Sequence, residues 1–439
     1  MSGGRRLLFA RRLVTCDPER TSSGPLGVIE DGYLSIVAGR IAGVGARAEL
    51  PERALEGATV HEAELVTPGL VDAHTHAPWA GSRHEEYALR MAGADYETIA
   101  KAGGGIVSTM RAVRAATQEQ LTSALTSRLA RMASLGVTTV EAKSGYGLDL
   151  ASERKQLVAI RDASTRRGAP RVVPTYLALH ALPPEAGGDR GAYAARVAAH
   201  DFEALASEGL FRFVDAYVER SAFSVEQVRP LVEKATARGF GVRLHVGQFA
   251  DVGGAQLAAA VGACSVDHLE HVGPDGVRAL AAAGVRAVLL PVASFTLAQP
   301  PPDIRALREA GVRLVVASDA NPGTAPTESL PLALAMAVRS YGLTVAEAVL
   351  GATREAAASL GLADTGMLAP GRRADLVAWD LPHEAALAQP HGVSRARLVL
   401  WRARRFGAAF SLSSYRTSLS SYRTSSISSG RRYVSSRVD

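Results

Sequence analysis

Five histidines and one aspartate stand where apolar runs end: His74, His76, His180, His245, His268 and Asp319. His74 and His76 close the stretch Val71-Asp72-Ala73-His74-Thr75-His76, which follows an apolar run broken at Pro68-Gly69. In a strand, residues i and i+2 share a face, so the two imidazoles point the same way. Neutral imidazole is the commonest metal ligand, and two on one face make half of a tetrahedral site. A lone pair of this kind is equally compatible with a polar strand end in solvent. The convergence of five histidines with an aspartate is what favours a site. With only two cysteines, Cys16 and Cys264, any metal must be held by His, Asp or Glu.

The elements that must position these residues follow one pattern. Short β-rich runs, often entered by Gly-Val, recur at "LVTPGLVDAH", "GVTTVEAK", "RVVPTYLALH", "FRFVDAYVE", "GVRLHV", "CSVDHLE", "VRAVLLPV" and "VRLVVASD". Amphipathic helices lie between them, among them 151–168, 224–239, 274–284 and 302–310. Strands alternating with helices at this spacing are βα units around a parallel sheet, and eight that close on themselves make an α/β TIM barrel over 66–364. An open doubly wound sheet is the alternative, but no G-x-G-x-x-G follows the first strand. In a barrel the functional residues sit at the C-terminal strand ends. Those positions hold His74 and His76, then Lys143, His180, Glu219, His245, His268 and Asp319.

Residues 1–65 and 365–408 carry short strand-like pieces too small to hold separate cores, and are expected to join in one composite β-sandwich. Residues 409–439 form a low-complexity tail, with "LSSYRTS" repeated at 412–418 and 419–425, and are expected to be disordered. The formal charge is +6, but the Arg-rich tail carries most of it, so the nearly balanced body points to no nucleic-acid partner. No apolar segment is long enough to span a bilayer, and the N-terminal apolar patch is too short for a signal peptide. A cytoplasmic enzyme with a small-molecule substrate and no membrane partner is the expectation.

"VDAHTH", the histidines of the fifth and sixth strands and "SDANPGT" resemble the amidohydrolase superfamily. Within it, "HTHAPWAGSRHEEY", "EAKSGYGL" and "SDANPGTAPTES" are similar to the imidazolonepropionase family. The resemblance implies one zinc or iron ion per chain on His74, His76, His245 and Asp319, and a homodimer. It implies metal-dependent hydrolysis of 4-imidazolone-5-propanoate, a five-membered cyclic amide with a propionate arm, to N-formimidoyl-L-glutamate in histidine degradation. His268 and Asp319 would then move the proton, and His180 would hydrogen-bond the ring or its carbonyl oxygen. Arg83 would grip the propionate, and Tyr146, Gln248, Asn321, Gly323 and Thr324 would contact substrate or product. Gln248 stands where some similar chains have Glu, and an amide cannot act as a base.

Two rival readings differ in class. Lys143, if carboxylated, would bridge two metals as in dihydroorotase-like enzymes, and a deaminase or another cyclic-amide hydrolase is of the same kind. A non-catalytic scaffold is expected to lose metal ligands, whereas this chain keeps four.

Overall fold

The computed structural model describes residues 5–93, 104–401 and 404–406; the low-complexity segment 409–439 lies outside the described residues. The chain begins with strands β1 (Arg6–Val14), β2 (Val28–Val37), β3 (Arg40–Ala46) and β4 (Thr59–Pro68). Eight parallel strands follow: β5 (Leu70–Asp72), β6 (Val137–Lys143), β7 (Arg171–Leu179), β8 (Phe213–Val218), β9 (Gly241–Val246), β10 (Ser265–His268), β11 (Arg286–Leu289) and β12 (Leu314–Val316). Strands β13 (Leu376–Trp379), β14 (Ala396–Trp401) and β15 (Arg404–Phe406) come last.

The two chain ends meet in one seven-stranded sheet, ordered β15-β14-β13-β4-β1-β2-β3. All its pairings are antiparallel except β1 with β4. Alternation gives the sheet two apolar faces. Leu65 and Val377 join the large apolar cluster of the barrel helices, whereas their neighbours Val66 and Leu376 belong to a separate cluster. Every member of that second cluster comes from the sheet or from the segment just before β13, so the sheet buries this face against itself. The two chain ends thus join in one composite β unit with an apolar cluster of its own, as expected. β4 runs further than the sequence pattern indicated. It holds Thr67 and Pro68 in the end sheet, opposite Val377 and Leu376. The chain crosses to the barrel at Gly69, where a Cβ would collide with the Thr138 side chain.

The barrel strands are buried almost throughout, as expected of parallel strands covered by helices. Helices fill the crossovers; Leu150–Ser164, for example, is capped by Asp149, which accepts from Ser152 N at 2.8 Å. The ring closes at the candidate site itself. Asp319 N donates to His74 O (3.1 Å), His76 N donates to Ala320 O (3.0 Å), and Thr75 bridges Ala320 in parallel. Closure of the barrel and the placing of three strand-end residues are one event.

Candidate metal centre and active site

Four acceptor atoms converge above the barrel. His76 Nε2 lies 3.3 Å from His74 Nε2 and 3.4 Å from His245 Nε2, and Asp319 Oδ1 lies 3.4 Å from both His74 Nε2 and His76 Nε2. The three imidazole nitrogens lie close enough together to share one ion, and Asp319 Oδ1 adjoins two of them, a His/carboxylate donor set of the kind that zinc takes. The hydrogen-bond pattern makes the same point. His74 Nδ1–H donates to Asp267 Oδ2 (2.8 Å) and His245 Nδ1–H to Asp215 Oδ1 (3.0 Å), so in neutral rings both Nε2 atoms carry lone pairs. Burial first, then the Lys143 charge, holds His74 well below the usual imidazole range. Burial and the neighbouring imidazoles do the same for His76. Asp319 Oδ1 has no hydrogen-bond partner among the described residues, and burial raises its carboxyl to about 6. Inward-facing lone pairs without a hydrogen between them repel, and a cation at their centre resolves the conflict. This donor set fits a divalent metal.

Beneath the ligands lies a floor of charges. Lys143 Nζ donates to Glu141 Oε1 (2.9 Å) and Asp215 Oδ2 (2.8 Å), and stands 3.7 Å from Asp267 Oδ2. Burial works to lower the Lys143 pKa, but Asp215, Glu141 and Asp267 outweigh it and hold the ammonium charged. Carboxylation requires the neutral amine, so this environment opposes a metal-bridging role for Lys143. Burial would raise Asp215, but His245 and Lys143 bring it down to about 2. Arg243 adds a second buried cation, donating to Ala73 O (2.8 Å) and lying 3.6 Å from Asp267 Oδ1.

His268 leaves the strand with φ of 82°, which is unusual for a residue with a side chain and turns its ring across the mouth. Its Nδ1 faces Glu270 Oε2 at 3.7 Å, and Glu270 Oε1 accepts from Ser294 Oγ (2.6 Å), itself 2.5 Å from Tyr341 Oη. Burial works to lower the His268 pKa; Glu270 and Asp319 raise it further, and the net effect is upward. His180 differs. Its Nδ1–H donates to Gly145 O at 2.8 Å, and burial lowers its pKa to about 3. The neutral ring therefore presents an accepting Nε2. An accepting Nε2 suits a ring N–H of a substrate. Tyr146 lies 5.2 Å from His180 and 5.8 Å from His76, ring centre to ring centre, and burial keeps its phenol protonated.

Arg83 is not an empty fork. Its Nε donates to Glu86 Oε2 (2.8 Å) and its Nη2 to Glu86 Oε1, while Glu86 also accepts from Arg90 Nη2 and Gly105 N. One bidentate edge is thus occupied, which leaves the edge carrying Nη1. Nη1 packs on Gly323, where a Cβ would overlap it. Asn321 is committed to the turn: Oδ1 accepts from Gly323 N and Thr324 N, both 2.8 Å, and Nδ2 donates to Asp319 O (2.7 Å) and Thr324 Oγ1 (3.0 Å). These bonds shape the turn that carries Gly323 and Thr324. Gln248 Oε1 accepts from Tyr217 Oη (2.6 Å), which leaves its Nε2 as a donor. Glu219 braces the loop after β9 by accepting from Phe249 N and Ala250 N.

Sequence comparison adds the family. Residues 65–401 match the amidohydrolase family. An imidazolonepropionase of Paracoccus denitrificans (strain Pd 1222) is 46% identical over 400 residues, 90% of this chain and 98% of the relative. One from Ralstonia nicotianae is 47% identical over 376 residues, covering 84% and 91% of the two chains. The chain belongs to the imidazolonepropionase family of amidohydrolases. Solved structures share the fold at low identity. A triazine hydrolase from Arthrobacter aurescens superposes with TM-score 0.71 at 18% identity, covering 91% of this chain and 94% of its own. An adenosine deaminase from Xanthomonas campestris with bound zinc gives 0.67 at 18%, covering 91% and 92%.

The sequence reading missed several members of this amidohydrolase site: Glu141, Asp215, Arg243 and Asp267 in the floor, Glu270 behind His268, and Glu86 behind Arg83. The floor had a signal. A charged residue inside a buried parallel strand, as in "FVDAYV" and "GVRLHV", violates the apolar run such strands require.

Proposed function

We infer that this chain is a metal-dependent hydrolase that opens the cyclic amide of 4-imidazolone-5-propanoate to N-formimidoyl-L-glutamate in histidine degradation. The observation that carries the reading is likeness over nearly the full length of an imidazolonepropionase, 98% of the Paracoccus denitrificans protein. We propose that His74, His76, His245 and Asp319 hold one ion, zinc or iron, since imidazole with carboxylate accepts either. When bound, such an ion supplies Lewis acidity that polarises a carbonyl and activates water.

The chain's own groups do the rest. His268, with Nδ1 turned to Glu270, exchanges a proton through Nε2: it takes one from the attacking water and returns one to the ring nitrogen as the C–N bond breaks. Asp319 ligates and shares that proton traffic. His180 Nε2 accepts a ring N–H, and Tyr146 and the Gln248 amide donate to the heterocycle. The Nη1 edge of Arg83 pairs with the propionate in a charge-assisted bond. We also propose a cytoplasmic homodimer, on the family resemblance; sedimentation and cell fractionation test it.

The decisive assay incubates the metal-loaded protein with imidazolone propionate, following loss of ultraviolet absorbance and appearance of N-formimidoyl-glutamate. A fully loaded protein that leaves the absorbance unchanged overturns the reading.

A further inference from the structure

The turn after β6 is held in an unusual way. Gly145 N donates to Glu153 Oε2 (2.8 Å), while Gly147 N and Leu148 N donate to Glu153 Oε1 (2.7 and 2.8 Å). The remaining amide, Tyr146 N, donates to Gln156 Oε1 (3.1 Å). Four consecutive backbone N–H groups thus end on two side chains of the helix Leu150–Ser164. Gly145 (φ 109°) and Leu148 (φ 58°) take left-handed conformations that curl the amides inward, and a Cβ at Gly147 would strike the backbone of Ser152 and Glu153. Curled amides of this kind form the concavities that bind anions elsewhere. Here the chain fills the concavity with its own carboxylate.

This carboxylate is expensive to place. Glu153 is 2% exposed, its bonds come from amides rather than from a lysine or arginine, and burial raises its pKa to about 7. An apolar residue in its place would leave three buried amides without an acceptor, so the turn needs an acceptor here. What the charge adds is precision in two groups. Gly145 O accepts from His180 Nδ1–H and so sets that ring, and Tyr146 hangs between two of the clamped amides. Gln156 extends the clamp, donating through Nε2 to Pro78 O (3.0 Å) in the segment that follows His76.

We infer that Glu153, assisted by Gln156, is a positioning residue for recognition of the heterocycle, fixing Tyr146 and His180 together through the amides of Gly145–Leu148. The inference rests on the reading above that Tyr146 and His180 contact the ring. A misplacement of about 1 Å in such groups costs on the order of 100-fold in rate.

A double-mutant cycle on the metal-loaded protein tests it. Glu153→Gln keeps the size but replaces one accepting oxygen by an NH2 that faces one or two of the three backbone donors. It is expected to lower kcat/KM for imidazolone propionate about 10- to 100-fold with metal content unchanged. In a Tyr146→Phe/His180→Ala background the same change should cost less than about 3-fold, because the groups it positions are gone. An equal loss in both backgrounds would show that Glu153 serves the fold alone, and overturns the inference. If Tyr146→Phe and His180→Ala each leave kcat/KM untouched, their role as ring contacts fails instead, whatever Glu153 does. Should Glu153→Gln not fold, Gln156→Met removes only the acceptor of Tyr146 N and the donor to Pro78. It should show a smaller loss, about 5-fold, with the same coupling, and full additivity there counts against the clamp.

Discussion

The floor of the barrel and its mouth are both buried and both polar, yet they are built on opposite plans. In the floor, Glu141, Lys143, Asp215, Arg243 and Asp267 have no exposure, and their charges answer one another across strands β6, β8, β9 and β10. At the mouth, Asp319 Oδ1, His76 Nδ1, His268 Nδ1 and Glu270 Oε2 are buried with no hydrogen-bond partner among the described residues. Buried charges persist only where paired, so the floor has one stable arrangement and serves to aim His74 and His245. Groups left without partners are free to take up a metal, a proton or a substrate. The floor fixes geometry, and the mouth retains chemistry.

The largest effect expected from that division is at the boundary between the two. His245→Ala removes a ligand whose Nδ1 partner, Asp215, stays bound to Lys143. The barrel should remain folded by circular dichroism while metal content and turnover fall to the limit of detection. Exhaustive chelation of the wild type should reproduce the loss, and re-addition of zinc or iron should restore it. Full turnover in metal-free protein would sink the metal reading.

Next comes the floor itself. Lys143→Met leaves Glu141, Asp215 and Asp267 facing one another with a single cation, Arg243, nearby. Breaking such a buried arrangement costs about 3–5 kcal/mol of stability. Loosening the carboxylates behind two ligands should weaken metal binding about 10- to 100-fold. Competition with a chromophoric chelator measures the second effect and thermal melting the first. Retention of both would mean that the floor does not aim the ligands.

How much of this was open to view in the chain alone follows from the same contrast. His74, His76, His180, His245, His268 and Asp319 are each the end of a run, and periodicity placed the five barrel strands that carry them. Lys143 stood in the same series, but its task depends on Asp215 and Asp267, which the fold brings from two other strands. No spacing rule joins them. Glu86 and Glu153 sit on helices, where an acid looks like an ordinary solvated face, and only packing shows that both are buried. The end sheet taught the reverse lesson. Its strands were legible from alternation, but the β4–β13 pairing that joins the chain ends links residues more than three hundred positions apart.

A smaller effect is expected behind His268, the proposed proton-transfer group. Glu270 faces His268 and is itself held by Ser294. Glu270→Gln removes the charge but keeps the size, and should lower kcat about 100-fold while leaving KM and metal content nearly unchanged. A change confined to KM would place Glu270 with substrate binding and blur the division between aiming and reacting groups.

The narrowest effects, confined to one arm of the substrate, concern the rim, where one residue combines both plans. Arg83 is tied to Glu86 along one edge, as a floor residue would be, and offers Nη1 along the other, as a mouth residue would. A charge-assisted carboxylate bond is worth about 1.5–3 kcal/mol, so Arg83→Met should lower kcat/KM for imidazolone propionate by about 10- to 150-fold. A ring without the acid arm should hardly notice. Gly323→Ala is the subtler version. Its methyl would occupy the space of the guanidinium, which must then shift without losing its charge. The expected result is a several-fold rise in KM for the propionate substrate alone, with kcat and metal content intact. If both substrates suffer equally in Gly323→Ala, the glycine serves the turn that Asn321 builds, and Arg83 does not depend on it.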